Sequence, residues 1–256
     1  MIQFRQGFIF PFFLIMLGSA LLLQSCASAY RPTAINMPFL KEEGDLLVGA
    51  SSGSNNIDAQ AAYAITDHFS MLLAYSRTRN SDSANMNRLM HYNFEIAPGF
   101  HAKMGENYLF NAFAGYSTGR IENYSSGLVF NNNTSGTPLF SAKGRYSKQH
   151  LQASIAFVSD FLDISIDNKL LNIHFPSLMD ADNQLLHRGH NQFYELGYTF
   201  RAGFKAVKFS HQLSTVFKLN NQINYSYNFI YTNLGIHIDI NTLKIKESMN
   251  SEKVSP

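Results

Sequence analysis

The chain has no tryptophan, one cysteine, seven prolines and little charge. Asp, Glu, Lys and Arg make up 15% of its 256 residues, against about 25% in ordinary soluble domains. A single cysteine cannot close an internal disulfide, so no cross-linked scaffold is available. The formal net charge of +2 is too weak a bias for binding a phosphate backbone. With no RNA- or DNA-binding signature either, nucleic acid is excluded as a partner. Phosphate loops, Rossmann fingerprints and G-x-S-x-G are absent. From Gly44 onward helical stripes of apolar residues are missing too. What is plentiful is apolar and aromatic: 45% hydrophobic residues, with 22 Phe and 13 Tyr.

A long, predominantly apolar run occurs once, at the N-terminus. Arg5 precedes GFIFPFFLIMLGSALLL, residues 7 to 23, and LQSC follows, ending at Cys26. A basic start, an apolar stretch and small residues before a cut site predict a secretory signal over 1–25. The stretch resembles a bacterial lipoprotein signal, with Leu23 three positions before the cysteine and Ser25 just before it. An uncleaved anchor is the competing reading, but it wants about 20 apolar residues, whereas this run spans 7–23 and contains Pro11. Lipid attachment gives the lone Cys26 a use. Residues 26–43 hold Pro32 and Pro38 and are read as an extended periplasmic tether.

From Gly44 the period is two. In IDAQAAYAI, Ile57, Ala59, Ala61, Tyr63 and Ile65 share one face and Asp58 and Gln60 the other. A break at Asp67-His68 then leads into a second apolar-rich strand, so the segment predicts a tight hairpin. Comparable alternation predicts strands at 45–54, 57–66, 69–79, 88–97, 107–118, 145–157, 161–170, 191–202, 205–217 and 227–240. The breaks after the second, sixth and eighth strands are short (Asp67-His68, Val158 to Asp160, Gly203-Phe204). Those at 80–87, 119–144 and 171–190 are long and rich in Asn, Ser, Asp and Gly. Short turns at one end and longer loops at the other are the habit of outer-membrane barrels. Strands of ten to fourteen residues also suit a bilayer, which needs roughly 9–11 tilted near 45°. In hydrocarbon every backbone polar group must pair, so the sheet has to close.

The predicted fold is therefore all-β: a closed antiparallel up-and-down β-barrel of about ten strands over 44–240, membrane-spanning, with a polar tail at 241–256. An even strand count puts both termini on the short-turn, periplasmic side. Tyr108, Tyr116, Tyr194, Phe229 and Tyr231 are candidates for interfacial girdles. A soluble lipidated sandwich or barrel, with the apolar face as its core, is the alternative.

PFLKEEGDLLVGASSG, QAAYAITDHFSMLLAYS and FRAGFKAVKFSHQLS together resemble a family of Gram-negative outer-membrane β-barrel lipoproteins. Its members share a lipobox cysteine, a Pro-containing tether, a "KGD"-like strand opening and a "QAAYA-TDH" hairpin. Here Glu43-Gly44-Asp45 stands for the Lys-Gly-Asp form, and Gln60 to His68 fits the hairpin. The resemblance implies fold and an outer-membrane, lipid-anchored location. It transfers no catalytic residue.

Candidate site residues follow from parity. Asp58, Glu95, Lys148, His150, Asp163, Asp167, Glu195, Arg201, Lys208, His237 and Asp239 lie on the polar face and are expected to line the lumen. A barrel near eight strands has an interior just filled by side chains, and open pores need about 16. A salt-bridged, largely plugged interior is the expectation, since buried charges must pair. Asp67-His68 beside Ser70 is better read as a turn that bonds its own backbone than as a catalytic group. His187 and His190 have H-x-x-H spacing but no carboxylate or cysteine companion at ligand spacing, so neither metal nor cofactor is expected. The sequons at Asn123 and Asn133 fall in an Asn-rich loop.

The sequence thus supports a non-enzymatic, lipid-anchored barrel with a structural or surface-interaction role. Its expected partners are membrane lipid and, during biogenesis, the barrel-assembly machinery. A periplasmic lipoprotein barrel binding a small apolar ligand, and an outer-membrane hydrolase, are the alternatives.

Overall fold

The computed structural model describes residues 32–53, 56–82, 87–125, 140–180, 182–204, 206–220, 227 and 229–241. Ten strands run in chain order: β1 Asp45–Gly53, β2 Asn56–Ala64, β3 Phe69–Asp82, β4 Asn87–Lys103, β5 Tyr108–Ser125, β6 Phe140–Val158, β7 Leu162–Met179, β8 Leu185–Phe204, β9 Val207–Lys218 and β10 Ile230–Asn241. Each pairs antiparallel with its sequence neighbours, and β1 pairs with β10, closing the barrel. The wall is uneven. Strands β1 and β2 have nine residues each, whereas β4 to β8 have 17 to 20. The strands that begin at Asp45, Phe69, Tyr108, Leu162 and Val207 all start at the short-turn mouth.

Period-two patterning sets which side chains point in. Along β7, Asp163, Ser165, Asp167 and Lys169 are buried, while Ile164, Ile166 and Leu170 are exposed on the outside. Register keeps this parity in step between strands: Ile155 of β6 and Tyr198 of β8 flank Ile166 on the same outer face. Glycines make room where inward rings are large. Gly99 lies opposite Phe113 and Gly119 opposite Tyr146. In both cases a Cβ would run into the facing ring, so only glycine admits it.

The outer surface is banded. Near the short-turn mouth aromatic side chains cluster in pairs: Phe161 with Phe204 at 5.4 Å, and Tyr108 with Phe157 at 5.6 Å. A second row lies higher, with Tyr75, Tyr92, Tyr116 and Phe217 exposed. Between the rows the outward positions hold residues such as Ile96, Leu151, Ile155, Ile166 and Ile236. Among the described residues none of those positions is Asp, Glu, Lys or Arg. Tyr108 to Tyr116 on β5 covers nine residues (108 through 116), close to the roughly 9–11 that a tilted strand needs to cross hydrocarbon. Above the second row charge returns outside, at Arg77, Arg120 (3.8 Å from Glu122), Arg145 and Arg188.

Tyr231, a girdle candidate, turns into the lumen instead, 4% exposed with its OH donating to Asp58, and three expectations about the chain's path need correction. Residues 32–40 are extended but are not a tether outside the barrel: they run inside the lumen, with Ile35, Met37, Phe39 and Leu40 at 5% exposure or less. The physical reason is apolar burial, about 1.5–3 kcal/mol for each such side chain, in an interior that ten strands leave wider than wall side chains alone can fill. Second, the strands continue well past the apolar band. β7 and β8 reach Met179 and start again at Leu185, so the expected loop over 171–190 is mostly sheet; β5 and β6 likewise extend to Ser125 and from Phe140. The polar residues there, such as Asn172 and Gln192, pair their backbones although their composition resembles a loop. Third, Gly203 belongs to the end of β8, and the tight turn lies between Phe204 and Val207. Cys26, the signal at 1–25, the sequon at Asn133 and the tail from 242 lie outside the described residues.

Candidate functional site: the barrel lumen

The lumen is built in layers from the short-turn mouth upward. At its base the chain is tied down before β1 starts. The backbone N–H groups of Lys41 and Glu42 donate to Asp45 Oδ2 at 2.7 and 3.1 Å, and Glu43 N donates to Asp67 Oδ1 at 3.0 Å. Beside this knot is a mouth cavity of about 380 Å³, bordered by Lys41, Asp163, Lys208 and Asp239. Lys208 Nζ donates to Asp163 Oδ1 and to the Ser159 carbonyl, both at 2.7 Å. Asp239 is half-buried at this level, facing inward like its strand neighbour His237.

Above the mouth, Leu40, Phe39, Met37 and Ile35 pack against Leu47, Ala62, Leu72, Leu109 and Phe113 in one apolar cluster. Polar wall side chains take up the segment's backbone groups, as buried N–H and C=O groups require. Arg201 Nη2 donates to the Met37 carbonyl at 2.8 Å, and its guanidinium lies 4.0 Å from the centre of the Phe39 ring. Gln152 Nε2 donates to the Asn36 carbonyl at 2.9 Å. Gln212 imitates a strand partner: its Nε2 donates to Ile35 O at 2.8 Å while its Oε1 accepts from Ile35 N at 3.0 Å. Asp167 accepts from Thr199 Oγ1 at 2.6 Å and Ser165 Oγ at 2.7 Å. Asp58 accepts from Tyr231 OH at 2.6 Å and Asn56 Nδ2 at 2.9 Å. His237 Nε2 lies 2.9 Å from Ser210 Oγ.

A buried charge cluster sits on the wall between β4, β6 and β7. Glu95 is fully buried, and its Oε2 is 3.5 Å from Lys148 Nζ and 3.4 Å from Lys169 Nζ. His150 Nε2 is 3.4 Å from Glu95 Oε1. Glu195, also buried, adds an electrostatic contact to Lys148. Higher still, Tyr146 OH is 2.5 Å from His91 Nε2 and 3.3 Å from Asn93 Oδ1. There Ile121, Phe175, Leu178 and Phe193 form a second apolar cluster.

All eleven parity-derived residues therefore point inward, ten of them buried and Asp239 half-buried. They do not form one site: Glu95, Lys148, His150 and Glu195 make the wall cluster, and Asp163 with Lys208 belongs to the mouth. Asp58, Asp167, Arg201 and His237 surround the inner segment. Parity alone also marks Lys169, two residues beyond Asp167, which belongs with the others. Gln152 and Gln212 gave no charge signal, and their role arises only once a segment occupies the lumen.

The catalytic candidates do not converge. Asp67 holds the Glu43 amide, His68 Nδ1 lies 3.4 Å from the His101 carbonyl, and Ser70 Oγ donates to the Gly99 carbonyl at 3.5 Å. His187 faces the lumen and His190 the outside, so the H-x-x-H pair cannot share a metal ion. Among the described residues no group of three or more His, Cys, Asp or Glu is placed to hold one.

No family model and no curated protein matches the sequence. Solved structures similar in shape include the β-domain of the Bordetella autotransporter BrkA (9% identity, 76% of this chain and 97% of that one, TM-score 0.41). Others are LpxR from Salmonella typhimurium (7%, 76% and 99%, 0.36) and the NanC porin (10%, 77% and 98%, 0.32).

Proposed function

We propose that this chain is an outer-membrane β-barrel lipoprotein, acylated at Cys26, whose lumen is closed by its own segment and polar network. Its role is structural or one of surface interaction, with neither catalysis nor solute passage. Membrane lipid is its lateral partner, and the barrel-assembly machinery inserts it. Short turns and the C-terminal end of β10 face the periplasm, and the longer connections face outward. The observation that carries this reading is the uncharged apolar band, bounded by two aromatic rows, around a fully closed sheet. A soluble barrel has no use for such a band, because apolar patches beyond a few hundred Å² are rare on monomers. At the level of Ile35 and Asn36 the lumen leaves only about 20 Å³, too little for a small apolar ligand.

Cys26→Ala tests the lipoprotein part. The variant should fail to take up a fatty-acid probe and should accumulate as the unprocessed precursor, while the parent chain labels and fractionates with the outer membrane. Unchanged processing and labelling in the variant would contradict acylation at this residue.

A further inference from the structure

We propose that the chain is threaded through its own barrel, so that Cys26 is carried to the long-loop, outward side of the membrane. This rests on the reading above of a membrane barrel acylated at Cys26. The direction of residues 32–44 carries it. Lys41 to Glu43 are fixed at the short-turn mouth by Asp45 and Asp67. Going back toward the N-terminus, the contacts climb the wall. Met37 meets Arg201 near the lower end of β8, and Asn36 and Ile35 meet Gln152 and Gln212. Ala34 lines the same small cavity as Asp58, which is one inward position below the upper end of β2 at Asn56. Within eight residues (41 back to 34) the backbone has therefore passed from the mouth to just below the rim of the short β1–β2 wall.

A return to the periplasm would need a second pass of backbone through the same layer. The free space there, beside Ala34, Ile35, Asn36, Asp58, Arg201 and Gln212, is about 20 Å³, room for about one water molecule, which needs roughly 10–15 Å³. A second strand of chain does not fit. Onward, the path is short: seven residue steps from Thr33 to Cys26 span up to about 23–25 Å when extended, enough to clear the rim. Acyl chains cannot follow through so narrow a passage after closure. The β1–β10 seam, nine paired residues long, therefore closes around a segment already in place. The earlier expectation of a periplasmic N-terminus is reversed, while the C-terminal end of β10 keeps its side.

Because Cys26 is the only cysteine and its thiol is consumed by acylation, single introduced cysteines report topology. Ala29→Cys, Asn132→Cys in the long connection and Glu106→Cys in a short turn are each exposed on intact cells to a membrane-impermeant maleimide. Threading predicts labelling at 29 and 132 without permeabilisation, and at 106 only after the outer membrane is opened. Labelling at 132 with protection at 29 overturns threading and leaves the barrel reading intact. Protection at 132 instead overturns the barrel's own orientation. Should the thiol at 29 stay unreactive in opened cells as well, a protease site between Ser28 and Ala29 decides the question. Its cleavage on intact cells supports threading, and cleavage only after permeabilisation refutes it. Heat-modifiable migration shows that each variant has folded.

Discussion

Glutamine in place of Glu95 is expected to destabilise the barrel by about 3–5 kcal/mol, the usual consequence of removing one partner from a buried ion pair. Lys148 and Lys169 are 2% and 1% exposed, and both ammonium groups lie within 3.5 Å of Glu95 Oε2. Without that carboxylate, two buried cations lose the partner they share, in an interior with little water to solvate them. The loss is read as a fall in unfolding free energy in denaturant titrations of the protein reconstituted in lipid. A second variant separates charge from packing. Glu95→Gln combined with Glu195→Gln, Lys148→Met and Lys169→Met removes both carboxylates and both ammonium groups together, and should recover most of the lost stability, since replacement of a whole buried charge cluster is often neutral or better. A cost below about 1 kcal/mol for Glu95→Gln, the scale of an exposed pair, would mean that water reaches this cluster.

Ile166→Arg is the second large expectation. The side chain is 61% exposed and flanked by Ile155 and Tyr198 on the outer face, midway between the aromatic rows. If that face meets hydrocarbon, an arginine there costs about 2–4 kcal/mol, the penalty falling to about 0–1 near an interface. Thr118→Arg supplies the contrast. Thr118 is exposed outside, just above Tyr116 and just below Arg120, where a charge should be nearly silent. The dependence on height is what identifies a bilayer. Equal, small effects at both positions in lipid-reconstituted protein would mean the outer face is an ordinary wet surface.

Much of this fold was legible because a strand's side-chain period is two, and the wall of a closed sheet has only two faces. Met90, Tyr92, Phe94 and Ile96 outside, with His91, Asn93 and Glu95 inside, read correctly from residue type alone. Two features were not legible for the same reason: composition was allowed to outvote period. In the upper part of β7 and β8, Asn172, His174, His190 and Gln192 look like loop residues, yet they sit where strands have left the apolar band and need no apolar outer face. In 33–40, Ile35, Met37 and Phe39 already alternate with Ala34, Asn36 and Pro38. The flanking prolines suggested a linker. Parity could not say that both faces of that segment would be buried, because its partner is the whole barrel wall. Gln152 and Gln212, uncharged and unremarkable in their own strands, acquire a role only through that segment.

The apolar band's contact with lipid is tested most directly by tryptophan fluorescence, since the chain has no tryptophan of its own. Leu151, 62% exposed on the outside, and Phe113, 2% exposed in the lumen, sit at one height: Ala114 pairs with Leu151 and Phe113 with Gln152. Leu151→Trp and Phe113→Trp are reconstituted separately into phospholipid whose acyl chains carry bromine, which quenches on contact. A barrel that spans the membrane with its apolar face outward predicts strong quenching at 151 and little at 113. Equal quenching at the two positions, or none at 151, would contradict it.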